Sequence, residues 1–367
     1  MNDKKKLFLV DAHQDLAWNM LTLGRDYTQT QSEIQASEVG TGKPEFNGDS
    51  LLGWDVYQQG NIGLVFATLF AGPIRRKKGD LDILFYKDFD QAHDLYRREL
   101  DAYHRLVSEH PDKFSLITTK TALEAHLELW RAKTPQAEAP VGLVILMEGA
   151  EGVRDVSELE MWHELGVWMI GPAWAGTRFC GGTGEPGPLT KDGYELLDAM
   201  SDLGTSLDIS HMDEKAALQA LDYFEGRIIA SHANSLALLK DCNSNRFLSD
   251  EVIAKLVERG GVIGMVPLNK FLDWSVQKGD PREKVSIQLV ADQIDHVCQI
   301  AGSAKHVGFG SDSDGGFGVQ SVPHEMLSAA DLHKLAPILR ERGYAEDELA
   351  GVFGGNWIEF LKLSLTD

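Results

Sequence analysis

Short apolar runs rich in Val, Ile and Phe recur along the chain, separated by longer segments of helical period. The runs cover residues 7–10, 62–70, 141–147, 167–170, 206–209, 227–230, 261–266 and 306–310. They are continuous rather than alternating, the pattern of strands buried on both faces in a parallel sheet. Between them the sequence predicts helices over 88–110, from 213 onward, over 249–260, 282–300 and 323–342. Asp213 and Ser249 are N-cap residues followed by acidic first turns, while Pro111 and Gly260-Gly261 supply stops. Gly354-Gly355-Asn356 is read as the start of a terminal helix.

Strand and helix alternating eight times predict a closed (β/α)8 TIM barrel. An open doubly wound sheet fits the same alternation if its strand order reverses. Two segments interrupt the rhythm: a polar stretch at 22–49 and a glycine-rich one at 179–190. In a barrel both emerge at the C-terminal rim, where substrate sites are built. With no fixed repeat and no low-complexity linker, residues 1–367 are read as one domain carrying these two rim insertions.

Composition narrows the function classes. The 367 residues carry 35 Lys and Arg against 56 Asp and Glu, a formal charge of −21, which disfavours nucleic acid and anionic membranes as partners. The hydrophobic share of 43% is that of a globular protein. Its 3 cysteines show no CxxC spacing, so neither a disulfide framework nor a thiolate zinc site is expected. The basic start Met1 to Lys6 leads into too short an apolar run for a secretory signal, and the expected compartment is the cytoplasm.

Candidate chemistry stands where the runs end. His13 and Asp15 follow the first run, Glu148 the third, His211 the fifth, His232 the sixth and Asp312 the eighth. Each alone reads equally well as a polar strand cap. Together, three imidazoles and three carboxylates at one rim would be costly to bury unpaired, whereas a divalent metal compensates the charge and uses the lone pairs. The segment Gly181–Gly187 lacks the Lys-Ser/Thr ending of a phosphate loop, and Asp312-Ser313-Asp314-Gly315 lacks the rest of a calcium loop.

These residues resemble a family, the membrane (renal) dipeptidases, peptidase family M19 of the amidohydrolase superfamily. The matching pieces are Asp11-Ala12-His13-Gln14-Asp15-Leu16, Glu148-Gly149, Asp208-Ile209-Ser210-His211, Ser231-His232, Gly310-Ser311-Asp312-Ser313-Asp314-Gly315 and Gly354-Gly355-Asn356, in the family's order. The resemblance implies a metallo-dependent hydrolase barrel that cleaves small dipeptides with water activated by two divalent ions, zinc first. It implies that His13 and Asp15 hold one ion, Glu148 bridges, and His211 and His232 hold the second. It further implies that Asp312 handles the proton and that an arginine, for which Arg246 is the candidate, grips the substrate carboxylate. Homodimerisation is compatible with the resemblance, though no residue pattern locates an interface.

One position departs from the family. Trp174 aligns with a histidine that polarises the scissile carbonyl, and an indole offers a single N–H donor and no titratable nitrogen. Arg178 nearby is a candidate substitute donor, a selector of acidic side chains, or a solvated residue. Arg246 likewise has a solvated alternative. The departure keeps two rivals open: a hydrolase of another small amide, lactam or ester, and a noncatalytic metal-binding barrel.

Overall fold

A computed structural model describes residues 7–134 and 137–367; the basic start at 1–6 lies outside them. Eight strands carry the architecture: β1 (Leu9–Gln14), β2 (Ile62–Phe70), β3 (Val141–Glu148), β4 (Val167–Gly171), β5 (Ser206–Asp208), β6 (Ile228–Ile229), β7 (Ile263–Met265) and β8 (Val307–Phe309). All pair in parallel, in the order β6-β5-β4-β3-β2-β1-β8-β7. A parallel bridge between Ala230 and Ile263 joins β6 to β7 and closes the ring. The fold is a (β/α)8 barrel, and the open-sheet alternative falls on that closure.

The continuous apolar runs become strands because both faces are covered. Along β2, Leu64 and Phe66 enter one apolar cluster while Val65, Ala67 and Leu69 enter the other; β3 divides in the same way. The smaller cluster includes Trp357, Phe360 and Leu361 of the terminal helix Asn356–Ser364. Gly354-Gly355-Asn356 does not start this helix, because helix Glu346–Ala350 continues through a π-helical turn, Gly351–Gly355, directly into it. Gly264 and Gly310 leave room for the Ser231 carbonyl, since a Cβ on either would stand 1.9 or 1.8 Å from that oxygen.

Helix boundaries follow their caps. Asp88 caps Phe89–Glu109 through the Gln91 N–H, Asp213 caps Glu214–Tyr223, and Ser249 caps Asp250–Glu258. The segment 282–300 splits into a turn at Arg282–Lys284 and a helix Gln288–Ala301. The segment 323–342 is not one helix: a 3-10 stretch Ala329–Lys334 precedes Leu335–Glu341. Pro337 explains the break, because without an N–H it is tolerated in a first helical turn but not in an interior one.

The rim segments are more structured than their composition suggests. Residues 22–49 hold helices Gln31–Glu38 and Lys43–Asn47, the first closed by a Thr30–Glu33 capping box. Arg25 anchors this insertion, donating to both Glu38 oxygens at 2.9 Å and pairing with Asp314 at 3.1 Å, all buried. Asp314 also accepts from Tyr27, Ser50 and the Leu51 N–H, so the insertion and the loop after β8 form one polar core. Residues 179–190 form a hairpin, Cys180–Gly182 against Glu185–Leu189. The loop after β2 reaches this hairpin, where Arg75 and Arg76 both pair with Glu185.

Candidate metal centre

The six expected residues converge at the C-terminal ends of the strands. His13 lies in β1, Asp15 directly precedes helix Leu16–Thr22, and Glu148 is the last residue of β3. His211, His232 and Asp312 follow β5, β6 and β8. Strand β1 runs past its apolar start because its polar groups are satisfied: Gln14 donates to Asp11 at 2.6 Å and accepts from Tyr57 at 2.8 Å. The α-helix Leu16–Thr22 then turns the chain away from the site.

Glu148 divides its two oxygens between two groups. Oε2 lies 3.6 Å from His13 Nε2, while Oε1 lies 2.9 Å from His211 Nε2 and 3.5 Å from His232 Nε2. Asp15 Oδ1 and Asp312 Oδ1 stand 3.6 and 4.0 Å from His13 Nε2. Donor atoms of His13, Glu148 and His232 fall within 4.8 Å of one another, as do those of His13, Asp15 and Asp312. Gly315 makes the carboxylates' approach feasible, since a Cβ there would sit 1.9 Å from Asp312 Oδ1 and 2.9 Å from Asp15 Oδ2. Asp312 itself adopts a left-handed backbone, φ +55°, which aspartate tolerates better than most residues.

This donor set fits a divalent cation. His13 Nε2 is buried and makes no hydrogen bond among the described residues. His211 Nε2 and His232 Nε2 face each other at 2.9 Å, so two lone pairs converge unless one nitrogen carries a proton. Burial depresses His13, but Glu148, Asp15 and Asp312 outweigh it and hold its imidazole at about 10. The protein alone thus compensates its carboxylates by keeping a proton on His13, with Glu148 ionised beside it. Burial pushes His211 down to about 4 and His232 well below its usual value, with Arg246 adding to both. Burial and Glu148 raise Asp15 to about 6, and Asp312 lies well above the carboxylate range through burial, Asp15 and Glu148. A cation would supply the positive charge that this cluster otherwise obtains by protonation.

Hydroxyls brace the donors, and these were not singled out from the sequence. Thr68 Oγ1 donates to Asp15 Oδ1, and Thr183 Oγ1 lies 2.8 Å from His211 Nδ1. Ser231 Oγ lies 2.9 Å from His232 Nδ1 and donates to Asp208. Asp208 and Ser231 sit inside the short motifs, two acidic or hydroxyl residues beside histidines, and that adjacency is the signal. Thr183 offered none, because it belongs to a rim hairpin distant in sequence.

The three residues proposed for substrate contact are placed differently. Arg246 is buried, not solvated; its Nη1 and Nη2 donate to the carbonyls of Ser210 and His232 at 2.7 and 2.8 Å, and its guanidinium lies over Phe271. Trp174 is half-buried beside the centre, its ring 6.2 Å from His211 and 5.1 Å from Phe70. Arg178 is brought elsewhere: it donates to the Val153 and Arg154 carbonyls and lies between Phe89 and Phe179, with ring distances of 4.3 and 4.5 Å. Its guanidinium makes no described hydrogen bond to the six clustered residues.

The family model for membrane dipeptidase, peptidase family M19, matches residues 4–363. The chain belongs to this family. It is a metallo-dipeptidase, in keeping with the donor cluster and with the expectation from its motifs. An uncharacterized protein in the pqqA 5′ region of Klebsiella pneumoniae is 32% identical over 60% of this chain and 82% of its own length. Among solved structures, the M19 metallopeptidase dipeptidase AC superposes with a TM-score of 0.78 at 21% identity, covering 99% of this chain and 100% of that one. A metallopeptidase from Rhodobacter sphaeroides, solved with a phosphinate mimic of the dipeptide L-Ala-D-Ala, gives 0.76 at 21% identity, covering 98% and 100%. At that identity the two structures speak for the barrel. No described helix of this M19 chain is long and apolar enough to cross a membrane.

Proposed function

We propose that this metallo-dipeptidase hydrolyses small dipeptides with two divalent cations, and that both are zinc. The observation that carries the two-ion reading is the division of Glu148, whose oxygens face His13 on one side and His211 with His232 on the other. Three imidazoles and three carboxylates are donors that suit zinc. When bound, such a pair of ions provides a nucleophilic water at neutral pH and polarises the scissile carbonyl.

The remaining work falls to the chain. Asp312, whose Oδ1 stands 4.0 Å from His13 Nε2 at the edge of the cluster, takes a proton from the attacking water and passes it to the leaving amine. Trp174, beside His211, donates its indole N–H to the developing oxyanion in place of a histidine. Arg246 presents positive charge to the substrate carboxylate from behind the two histidine loops. Fixing both charged ends favours dipeptides over longer peptides. The relative solved with an L-Ala-D-Ala mimic motivates extending the substrate class to a D-residue at the C-terminal position.

The test is metal quantification on protein purified without chelator, followed by a dipeptide library that includes C-terminal D-residues. Two equivalents of zinc and turnover of dipeptides are expected. Two metals with turnover only of a nonpeptide amide, lactam or ester would favour the rival motivated by Trp174.

A further inference from the structure

The Ser231 hydroxyl is the meeting point of the two halves of the centre. It is buried, and its Oγ lies 2.9 Å from His232 Nδ1 and 3.4 Å from His13 Nδ1. A hydroxyl carries one proton. Ser231 gives that proton to Asp208 Oδ2. The nearby Ser210 hydroxyl, 3.2 Å away, gives its own proton to Asp208 Oδ1. With its proton committed, Ser231 Oγ can only accept from the imidazoles. Each Nδ1 therefore carries a hydrogen, which leaves Nε2 as the nitrogen whose lone pair a cation would take.

We infer that Asp208 is a positioning residue that, through this one serine hydroxyl, fixes the tautomer of one ligand in each cation group. His13 donor atoms cluster with Asp15 and Asp312 and also with Glu148 and His232, while His232 Nε2 also faces His211 Nε2. On the two-cation reading His13 serves the first cation and His232 the second. The inference rests on the two-cation reading above. Thr183 differs, because its hydroxyl contacts the Nδ1 of His211 alone. The Ser231 hydroxyl couples the two cations, and the Thr183 hydroxyl serves one.

Zinc titration into metal-free protein by calorimetry, with metal content after dialysis, tests this on the full chain. Ser231→Ala and Asp208→Asn are each expected to weaken both cations by about 10–100-fold, the usual cost of losing a partner behind a ligand. Thr183→Ala is expected to weaken one. Asp208→Asn keeps the volume and the serine, but its amide N–H points at Oγ and frees the serine proton towards the imidazoles. Ser231→Thr, which retains the hydroxyl, is expected to retain affinity for both. Circular dichroism and the melting point of each metal-free variant verify folding, and should Ser231→Ala not fold, Asp208→Asn decides. Native affinity for both ions in the folded variants, or weakening confined to one, overturns the inference. A wild-type protein that takes up fewer than two cations overturns the two-cation reading instead, a result visible before any variant is compared.

Discussion

Asp11 and Asp208 grip neighbouring strands in the same way at separate points of the barrel. Asp11 Oδ1 accepts the Ser311 N–H and its Oδ2 the Ser311 hydroxyl; Asp208 Oδ1 accepts the Ser231 N–H and its Oδ2 the Ser231 hydroxyl. Each serine directly precedes a site residue, Asp312 in one case and His232 in the other. The consequences differ because Ser311 touches no imidazole in the described contacts, whereas Ser231 touches two. Asp11→Asn should place an amide N–H against a Ser311 donor, costing about 1–3 kcal/mol of stability. It should lower kcat by loosening Asp312 while leaving metal content unchanged. Parallel melting, turnover and metal assays check this, and joint loss of metal and turnover would reject the division of labour.

Asp312→Asn should leave the ion complement intact and remove most turnover, by about 10²–10⁴-fold, the usual worth of a positioned general acid–base. The side chain keeps its volume and its place beside Gly315, so binding of a dipeptide should change little. Steady-state kinetics on metal-quantified protein provide the measurement. A variant retaining near-native kcat would reject the proton-transfer role.

The barrel and the clustering of its donor side chains were legible for one reason: buried parallel strands write continuous apolar runs, and the polar residue that ends each run stands at the rim. His13, Glu148, His211 and His232 all fall at such ends. The braces were harder to read, because a hydroxyl such as Thr183 gains its meaning only when the hairpin Cys180–Gly182 and Glu185–Leu189 folds over His211. The helices Gln31–Glu38 and Lys43–Asn47 of the rim insertion were hard to read for a related reason. Their order comes from the buried Arg25, Glu38 and Asp314 group rather than from an apolar stripe. Arg178 illustrates the limit, since a charge beside an aligned site residue serves here to tie Val153 and Arg154 to the next rim loop.

Trp174→Phe should separate a donor from a wall. Phenylalanine keeps an aromatic ring against Phe70 and loses the N–H together with the smaller ring that bears it. If the indole donates to the oxyanion, kcat should fall by about 10²–10³-fold with little change in KM. Trp174→His should retain more activity than Trp174→Phe. Equal kcat in wild type and the phenylalanine variant would leave Trp174 as a wall of the pocket.

Arg246→Lys tests two duties at once. Lysine cannot span the carbonyls of Ser210 and His232 as a planar fork does, so stability should fall by about 1–3 kcal/mol. If the guanidinium also attracts the substrate carboxylate, KM should rise for free dipeptides and far less for their C-terminal amides. A melting curve reads the first effect and the paired substrates the second. An equal KM rise for both substrates would count against the carboxylate role.

Glu99 supplies a pH signature independent of turnover. It lies buried on helix Phe89–Glu109, accepts the Phe70 N–H at 2.7 Å, and leaves Oε1 without a partner among the described residues. Burial, then Asp15 and Glu148, raise its carboxyl well above the ordinary value. Between the ordinary glutamate pKa and that raised one, the native chain holds a proton that the unfolded chain has released. Stability therefore falls as pH rises through this window, by up to about 1.4 kcal/mol per pH unit from this group. Glu99→Gln carries no such proton and can still accept from Phe70. Its melting temperature relative to wild type, measured on metal-free protein, should climb as pH rises above the ordinary glutamate value of about 4.5. A constant difference over that rise would mean that Glu99 ionises in the native barrel as readily as in the unfolded chain.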